Sequence, residues 1–192
     1  RWFGPEYAHT IGHAYGYTVG SRGLFERCIN LINACKENPS ISDGRRNIIN
    51  LWQEDDIKDA VLKPCVFCSE WDVTDGKLNA YIHQRSCDVP LGLPFNVTQY
   101  SALLCLLAHV TGLEPGQLSW SIKDAHIYVN QVEGIKEQLE RGDKIERGEL
   151  EDLPAPELWI DPKLTDLNNI DDRELSNVKV SNYKHHGPIS YP

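Results

Sequence analysis

Val66-Phe67-Cys68-Ser69-Glu70-Trp71-Asp72-Val73-Thr74-Asp75-Gly76-Lys77-Leu78-Asn79-Ala80-Tyr81-Ile82-His83-Gln84-Arg85 reads as two β-prone runs around an Asp-Gly turn. Asp-Gly between such runs is the strongest short-range hairpin signal, because a tight hairpin turn wants residues that accept positive φ. What the hairpin carries at its open end decides the rest. Pro64-Cys65 leads into the first strand, and Arg85-Ser86-Cys87-Asp88 leaves the second. Pairing the strands brings Arg85 beside the start of the first one. A thiol attacks as thiolate, and its pKa falls next to a cation. Arginine is a permanent cation, so Cys65 is a candidate nucleophile. Arg85 with Ser86 makes a fork plus a hydroxyl suited to a phosphate monoester; the competing local reading pairs Arg85 with Asp88 at the surface.

Working outward, Ile11 to Tyr17 is glycine-punctuated and reads as a loop or short turn. Apolar residues at 24, 28, 29, 31, 32 and 35 have helical period, ended by Glu37-Asn38-Pro39-Ser40. Asp43-Gly44-Arg45-Arg46 is a turn before a strand at Ile48 to Trp52, and Asp55 to Leu62 a short acidic helix. Asn96 to Val110 carries Val97, Tyr100, Leu103, Leu104, Leu107 and Val110 on one face, with Gly112 as its stop. Trp120 to Val129 is β-like, Asn130 to Arg141 an amphipathic helix, and Gly142 to Glu151 a surface loop. Pro156 to Ile160 and Val178 to Val180 read as further strands. Strands and helices mix without regular βαβ alternation, so the fold class is α+β in a single domain over 1–192.

A chain of 192 residues can bury a sizeable core. With 41% hydrophobic and 24% charged residues it has an ordinary globular composition. The net charge of −9 argues against a broad nucleic-acid surface, which needs clustered cations. No apolar run is expected to reach the roughly 18–20 residues of a membrane span. Six cysteines without disulfide-scaffold spacing fit a reducing cytosol, with Cys28, Cys35 and Cys105 read as buried small hydrophobes. The chain opens on Arg1 and contains no Met, so a longer polypeptide is expected.

Other groups have competing readings. Cys65 and Cys68 form Cys-x-x-Cys, but a zinc site needs four ligands and no second pair of matching spacing exists. In an extended run, residues three apart face opposite ways. Arg45-Arg46 is either a solvated turn or a concentrated anion contact. Asn96 is locally the favoured N-cap of its helix, or an amide offering donor and acceptor to a pyrimidine lactam. His126 and Tyr128 share a face, as core polar residues or as a grip on sugar hydroxyls.

Pro64-Cys65, the string from Gln84 to Asn96 and Asp124-Ala125-His126-Ile127-Tyr128 together resemble the folate-dependent, cysteine-nucleophile thymidylate synthase family. Asp43 to Arg46 resembles its double-arginine motif, Ile11 to Gly16 its Gly-x-x-Tyr-Gly segment, and Asn182 to His186 its C-terminal tyrosine motif. The resemblance implies a mixed sheet covered by helices, dimerising through the sheet. It also implies conversion of dUMP and 5,10-methylenetetrahydrofolate to dTMP and dihydrofolate, without a metal and in the cytoplasm. Under it Cys65 is the nucleophile, and Arg85 and Ser86 bind the phosphate. Arg45 and Arg46 complete the partner subunit's phosphate site. Asn96 meets the uracil lactam, and His126 and Tyr128 meet the 3′-hydroxyl. Cys87 and Asp88 line the nucleotide wall. Asp88, Leu91, Gly92 and Phe95 face the folate, and Tyr15 serves proton removal at C5.

Two departures stand out. Val66 follows the nucleophile where most members have His; a Bacillus-type branch with Pro-Cys-Val resembles the chain here and at Ala155 to Ile160. Lys123 stands where Gly is usual before Asp-x-His. The family's N-terminal segment and its short apolar tail are expected outside this chain. Rival readings are a pyrimidine-nucleotide hydroxymethylase of the same fold and an inactive nucleotide- or RNA-binding homologue.

Overall fold

A computed structural model describes residues 9–167 and 176–190. It separates into two compact units, Arg1–Cys87 with Leu103–Asp124, and Asp88–Ala102 with Ala125–Pro192.

The first unit is built on the hairpin. Strands β2 (Val66–Thr74) and β3 (Lys77–Gln84) pair antiparallel, with Val73 opposite Leu78 and Thr74 opposite Lys77. Asp75 and Gly76 both take positive φ, 50° and 75°, which matches the turn's twist to that of the strands. Strand β1 (Ile48–Asn50) adds antiparallel beside β2. On the other side β5 (Glu114–Ile122) runs parallel to β3, giving the order β1-β2-β3-β5. A parallel neighbour needs a crossover connection, and the intervening α4 (Gly92–Thr111) provides it. Val66, Ser69, Trp71, Leu78, Ala80, Ile82 and Gln84 are buried on one face of the sheet, whereas Glu70, Asp72 and Tyr81 are exposed on the other.

Helices α1 (Gly16–Ser21) and α2 (Leu24–Glu37) precede the sheet. Leu24, Cys28 and Ile32, spaced by four, form the buried stripe of α2, which packs against β1 and β2. Lys36 Nζ at its end donates to the Thr111 carbonyl, where a cation suits the C-terminus of α4.

A three-residue clamp ties α1 to α3 (Glu54–Ile57). Asp56 accepts from Arg22 Nε and Nη2 at 3.0 and 2.8 Å and from Thr18 Oγ1 at 3.0 Å. Thr18 is fully buried and Asp56 is 7% exposed. The Arg22 hydrogen bonds, joined by the Thr18 hydroxyl, hold the Asp56 carboxyl below its ordinary range although burial opposes them. We expect Asp56→Ala to cost about 2 kcal/mol at pH 7, because it orphans the buried Thr18 hydroxyl. The folded carboxyl titrates lower than the unfolded one. Its contribution is therefore complete above about pH 4 and fades as pH falls further. Urea melts of both proteins between pH 3 and 7 test this. A difference near zero at pH 7, or one that stays constant to pH 3, would remove the clamp's role.

Two short strands, β4 (Cys87–Asp88) and β6 (Ala125–His126), pair with each other, and in the second unit β7 (Glu157–Ile160) pairs antiparallel with β8 (Val178–Ser181). Helix α5 (Val132–Glu146) holds the chain end, with Arg141 Nη1 donating to the Gly187 carbonyl at 2.9 Å.

Several expectations need correction. The loop expected over Ile11 to Tyr17 ends at Tyr15, because a helix begins at Gly16. Strand β1 stops at Asn50 and α3 spans only Glu54–Ile57. The surface loop expected from Gly142 begins later, because α5 continues to Glu146. Helix α4 starts at Gly92, four residues before Asn96, so Asn96 is not its N-cap. Pro94 misled the boundary: in a first turn its missing N–H costs nothing. Cys28 is buried as expected, but Cys35 and Cys105 are only half-buried.

The expectation about membrane spans also fails on length and composition. Helix α4 has 20 residues and a mean hydropathy of 1.2, enough by those criteria to cross a bilayer. Tyr100, Leu104, Leu107 and Ala108 on it are buried, and only 22% of its most apolar stretch is buried in all.

Candidate active site

Cys65 lies on the bend entering β2, after Pro64, whose side chain is fully buried. The thiol-bearing residue itself is half-buried and so reachable. Its backbone N–H donates to Tyr15 Oη at 2.9 Å, and its carbonyl accepts from Arg85 N at 2.8 Å. The second bond extends the β2–β3 ladder one step beyond Val66–Gln84. Arg85 then turns back along the same segment, with Nε on the Pro64 carbonyl and Nη2 on the Lys63 carbonyl, each at 2.9 Å. Its guanidinium carbon sits 5.7 Å from the Trp52 ring centroid, and Lys63 Nζ lies at 5.7 Å over the same ring. The hairpin therefore does what its open end required: it fixes a cation against the residues flanking the cysteine.

Tyr15 reaches this point through a close backbone approach. Gly12 (φ 74°) bridges to Ala60, and a Cβ on it would lie 2.1 Å from the Asp59 carbonyl oxygen. Only glycine fits there without moving the backbone. Val61 N–H donates to the Ile11 carbonyl at 3.0 Å, so Ile11 to His13 is strapped to the segment leading into Pro64. Tyr15 itself has φ 48°, a strained value for a side-chain-bearing residue. Burial pushes its phenol up, while the Cys65 N–H and the Arg85 charge oppose that.

Cys68 differs from Cys65. A bulge between Val66 and Cys68 interrupts the register, and Phe67 and Cys68 are both half-buried where alternation would have separated them. Burial, then Glu70, push the Cys68 thiol up, away from thiolate. All six cysteines are free. Among the described residues no group of three or more His, Cys, Asp or Glu could hold a metal.

Arg45 and Arg46 lie exposed on the 3-10 turn Ser42–Arg46, with Arg46 Nη1 2.8 Å from Asp43 Oδ1. Ser86 is half-buried, and its carbonyl accepts from Gln84 Nε2 at 2.9 Å. Cys87 is 1% exposed, and its N–H donates to the Asp124 carbonyl at 2.8 Å, so it is sealed in packing.

The remaining candidates belong to the second unit. Asp88 Oδ1 accepts from Leu91 N–H at 3.1 Å and Oδ2 from Gln131 Nε2 at 2.9 Å. Gln131 Oε1 in turn accepts from Tyr128 N–H at 2.9 Å, and Val89 N–H donates to the His126 carbonyl. The His126 and Tyr128 rings meet edge to face at 5.1 Å. Asp88 and Tyr128 are thus linked through one buried amide, and His126 joins them through Val89 and the Tyr128 ring. Asn96 is half-buried on the second turn of α4, and Leu91 and Phe95 are exposed around the helix start, Phe95 at 78%. Tyr183 is 69% exposed in the closing segment.

The family model for thymidylate synthase matches residues 1–192. The chain belongs to the thymidylate synthase family. Among relatives, the thymidylate synthase of Clostridium beijerinckii is 46% identical over 180 residues, covering 94% of this chain and 62% of that protein. The thymidylate synthase of Bacillus subtilis subsp. natto is 39% identical over 185 residues, covering 92% of this chain and 60% of that protein. The solved structure of thermostable thymidylate synthase A from Bacillus subtilis superposes with a TM-score of 0.80 at 34% identity, over 99% of this chain and 64% of that one. The fold is therefore the thymidylate synthase fold. The chain spans about three-fifths of the length of these curated relatives.

Around the candidates, sequence reasoning missed Trp52, Lys63 and Gln84 in the first unit and Gln131 in the second. Gln84 is 2% exposed and joins Trp120 Nε1 to the Ser86 carbonyl; Gln131 is 4% exposed. A glutamine in a strand or before a helix reads as surface, and only its burial marks it as a hub. Trp52 next to Gln53 had no periodic signal, because its partners come from residues 63 and 85.

Proposed function

We propose that the whole protein methylates dUMP to dTMP, using 5,10-methylenetetrahydrofolate as one-carbon donor and reductant, in a single domain. The observation that carries this reading is the fixation of Arg85 on the carbonyls of Lys63 and Pro64 beside a reachable Cys65. With Nε and Nη2 so engaged, Nη1 remains for an anion from outside the chain.

Cys65 Sγ, as thiolate, adds to C6 of the uracil ring, and the displaced electron pair makes C5 nucleophilic with charge on O4. Asn96 is assigned the lactam, where a preorganised donor stabilises that charge most. Tyr15, bonded to the Cys65 N–H, belongs to the relay that takes the C5 proton. With the one-carbon unit on C5, the electron pair freed by that proton expels the folate nitrogen, and hydride delivery to the resulting methylene releases Sγ from C6 as thiolate. Bound methylenetetrahydrofolate supplies the one-carbon unit and then the hydride, leaving as dihydrofolate. Exposed Leu91 and Phe95 with the Asp88 carboxylate and Gly92 suit a flat, amide-bearing ring such as its pterin. Ser86 joins Arg85 on the phosphate, and buried Cys87 backs the nucleotide wall without reaching the ligand. His126 and Tyr128 take the sugar hydroxyl.

The exposed sheet face with Ile48 and Tyr81, and the outward Arg45 and Arg46, support a homodimer in which the two arginines serve the partner's phosphate. Sedimentation as a monomer would remove that role. A cytoplasmic enzyme fits six free cysteines. The decisive experiment incubates the full-length protein with 5-fluoro-dUMP and the folate and maps the adduct. Attachment at Cys65, and dTMP from dUMP, are expected. Attachment at Cys68 would overturn the mechanism, and 5-hydroxymethyl-dUMP as sole product would make the protein a hydroxymethylase.

A further inference from the structure

Next to Arg85 the first unit holds an open cavity of about 490 Å³. Two of its lining residues are cations, Arg85 and Lys123, and none is a carboxylate; Asn50, Trp52 and Phe67 form much of the remainder. That is unusual on a chain of net charge −9. Neighbouring carboxylates are engaged elsewhere: Glu54 accepts from Trp52 Nε1 at 2.9 Å, and Glu70 pairs with His83 at 2.7 Å. Lys123 reaches the cavity because of sheet register. Ile122 pairs with Gln84 in the parallel β3–β5 ladder, and Lys123 N–H donates to the Gln84 carbonyl at 2.9 Å. The residue after each strand end therefore faces the same space. Cys65 does not line the cavity; Arg85 is the group common to both places.

We propose that Lys123, which stands where the family resemblance expects glycine, completes with Arg85 a subsite for the phosphate dianion of the nucleotide. This rests on the dUMP reading above. The one guanidinium nitrogen left over, Nη1, offers its N–H donors to the phosphate and the ammonium adds a point charge, so the second negative charge falls to Lys123. A phosphate held there carries its second negative charge against Lys123, so affinity for the dianion depends on this residue in a way the covalent chemistry at Cys65 does not.

The test uses the full-length protein, with dUMP and inorganic phosphate as probes. Lys123→Gly and Lys123→Gln are expected to raise the KM for dUMP and the inhibition constant of inorganic phosphate about tenfold each. The kcat should stay within about twofold, and Lys123→Arg should restore both constants. Lys77→Gln, at the far end of β3, removes the same charge and should change neither. Unchanged constants in the Lys123 variants, or an equal rise in Lys77→Gln, overturn the assignment while dTMP formation by the parent still stands. If the parent forms no dTMP, the reaction reading falls separately. Calorimetric binding of inorganic phosphate, weakened or not by Lys123→Gly, then decides the anion subsite alone.

Discussion

Replacing Cys65 by serine will abolish dTMP formation, by on the order of a thousandfold or more, while dUMP still binds. The structure makes this substitution unusually clean. Both hydrogen bonds of Cys65 run through its backbone, N–H to Tyr15 Oη and carbonyl to Arg85 N. A serine keeps both, keeps Pro64 in its buried place and leaves the Arg85 clamp untouched. What disappears is the sulfur. A hydroxyl is a far weaker nucleophile at neutral pH and lacks a neighbouring base within the described contacts. Isothermal titration with dUMP separates the two effects. Retained turnover in the variant would remove Cys65 from the chemistry, whereas lost binding would show that the segment had moved.

Arg85→Lys will lower kcat/KM for dUMP by at least about a hundredfold, although it conserves charge. Arginine satisfies the carbonyls of Lys63 and Pro64 with two different nitrogens of one rigid plane and still presents a third to an anion. One ammonium cannot hold two carbonyls, lie over Trp52 and meet a phosphate together. The loss should divide between a higher KM, from the missing Nη1 contact to the phosphate, and a lower kcat, from charge no longer stabilised near Cys65. A melting temperature within a few degrees of the parent would show that the fold survives. Activity within threefold of the parent would mean that Arg85 is a structural tie only.

How much of this was legible beforehand varied with the distance over which each signal acts. The hairpin was readable because Asp75-Gly76 and its flanking runs are local, and the register delivered Arg85 to Cys65 as local pairing demanded. The stripe of α2 was readable for the same reason. The start of α4 was not, because Pro94 and Asn96 each carry a local preference that a longer helix overrides. The end of α5 was not, because Gly142 costs a helix only about 1 kcal/mol and the rest of the helix absorbs it. Alternation placed Cys65 and Cys68 on opposite faces, and a bulge at Phe67 broke that count.

The amino-acid sequence alone determined the family and the hairpin, and it named the candidate nucleophile and candidate ligand-facing residues, since each rests on residue type, order and short-range pairing. Only the tertiary structure decided the partners. It placed Arg85 on the carbonyls of Lys63 and Pro64, made Gln84 and Gln131 buried hubs, sealed Cys87, and turned Lys123 into the cavity beside Arg85. Those outcomes depend on register between strands far apart in the chain and on which polar groups burial forces to find a partner, and neither is encoded within any one stretch.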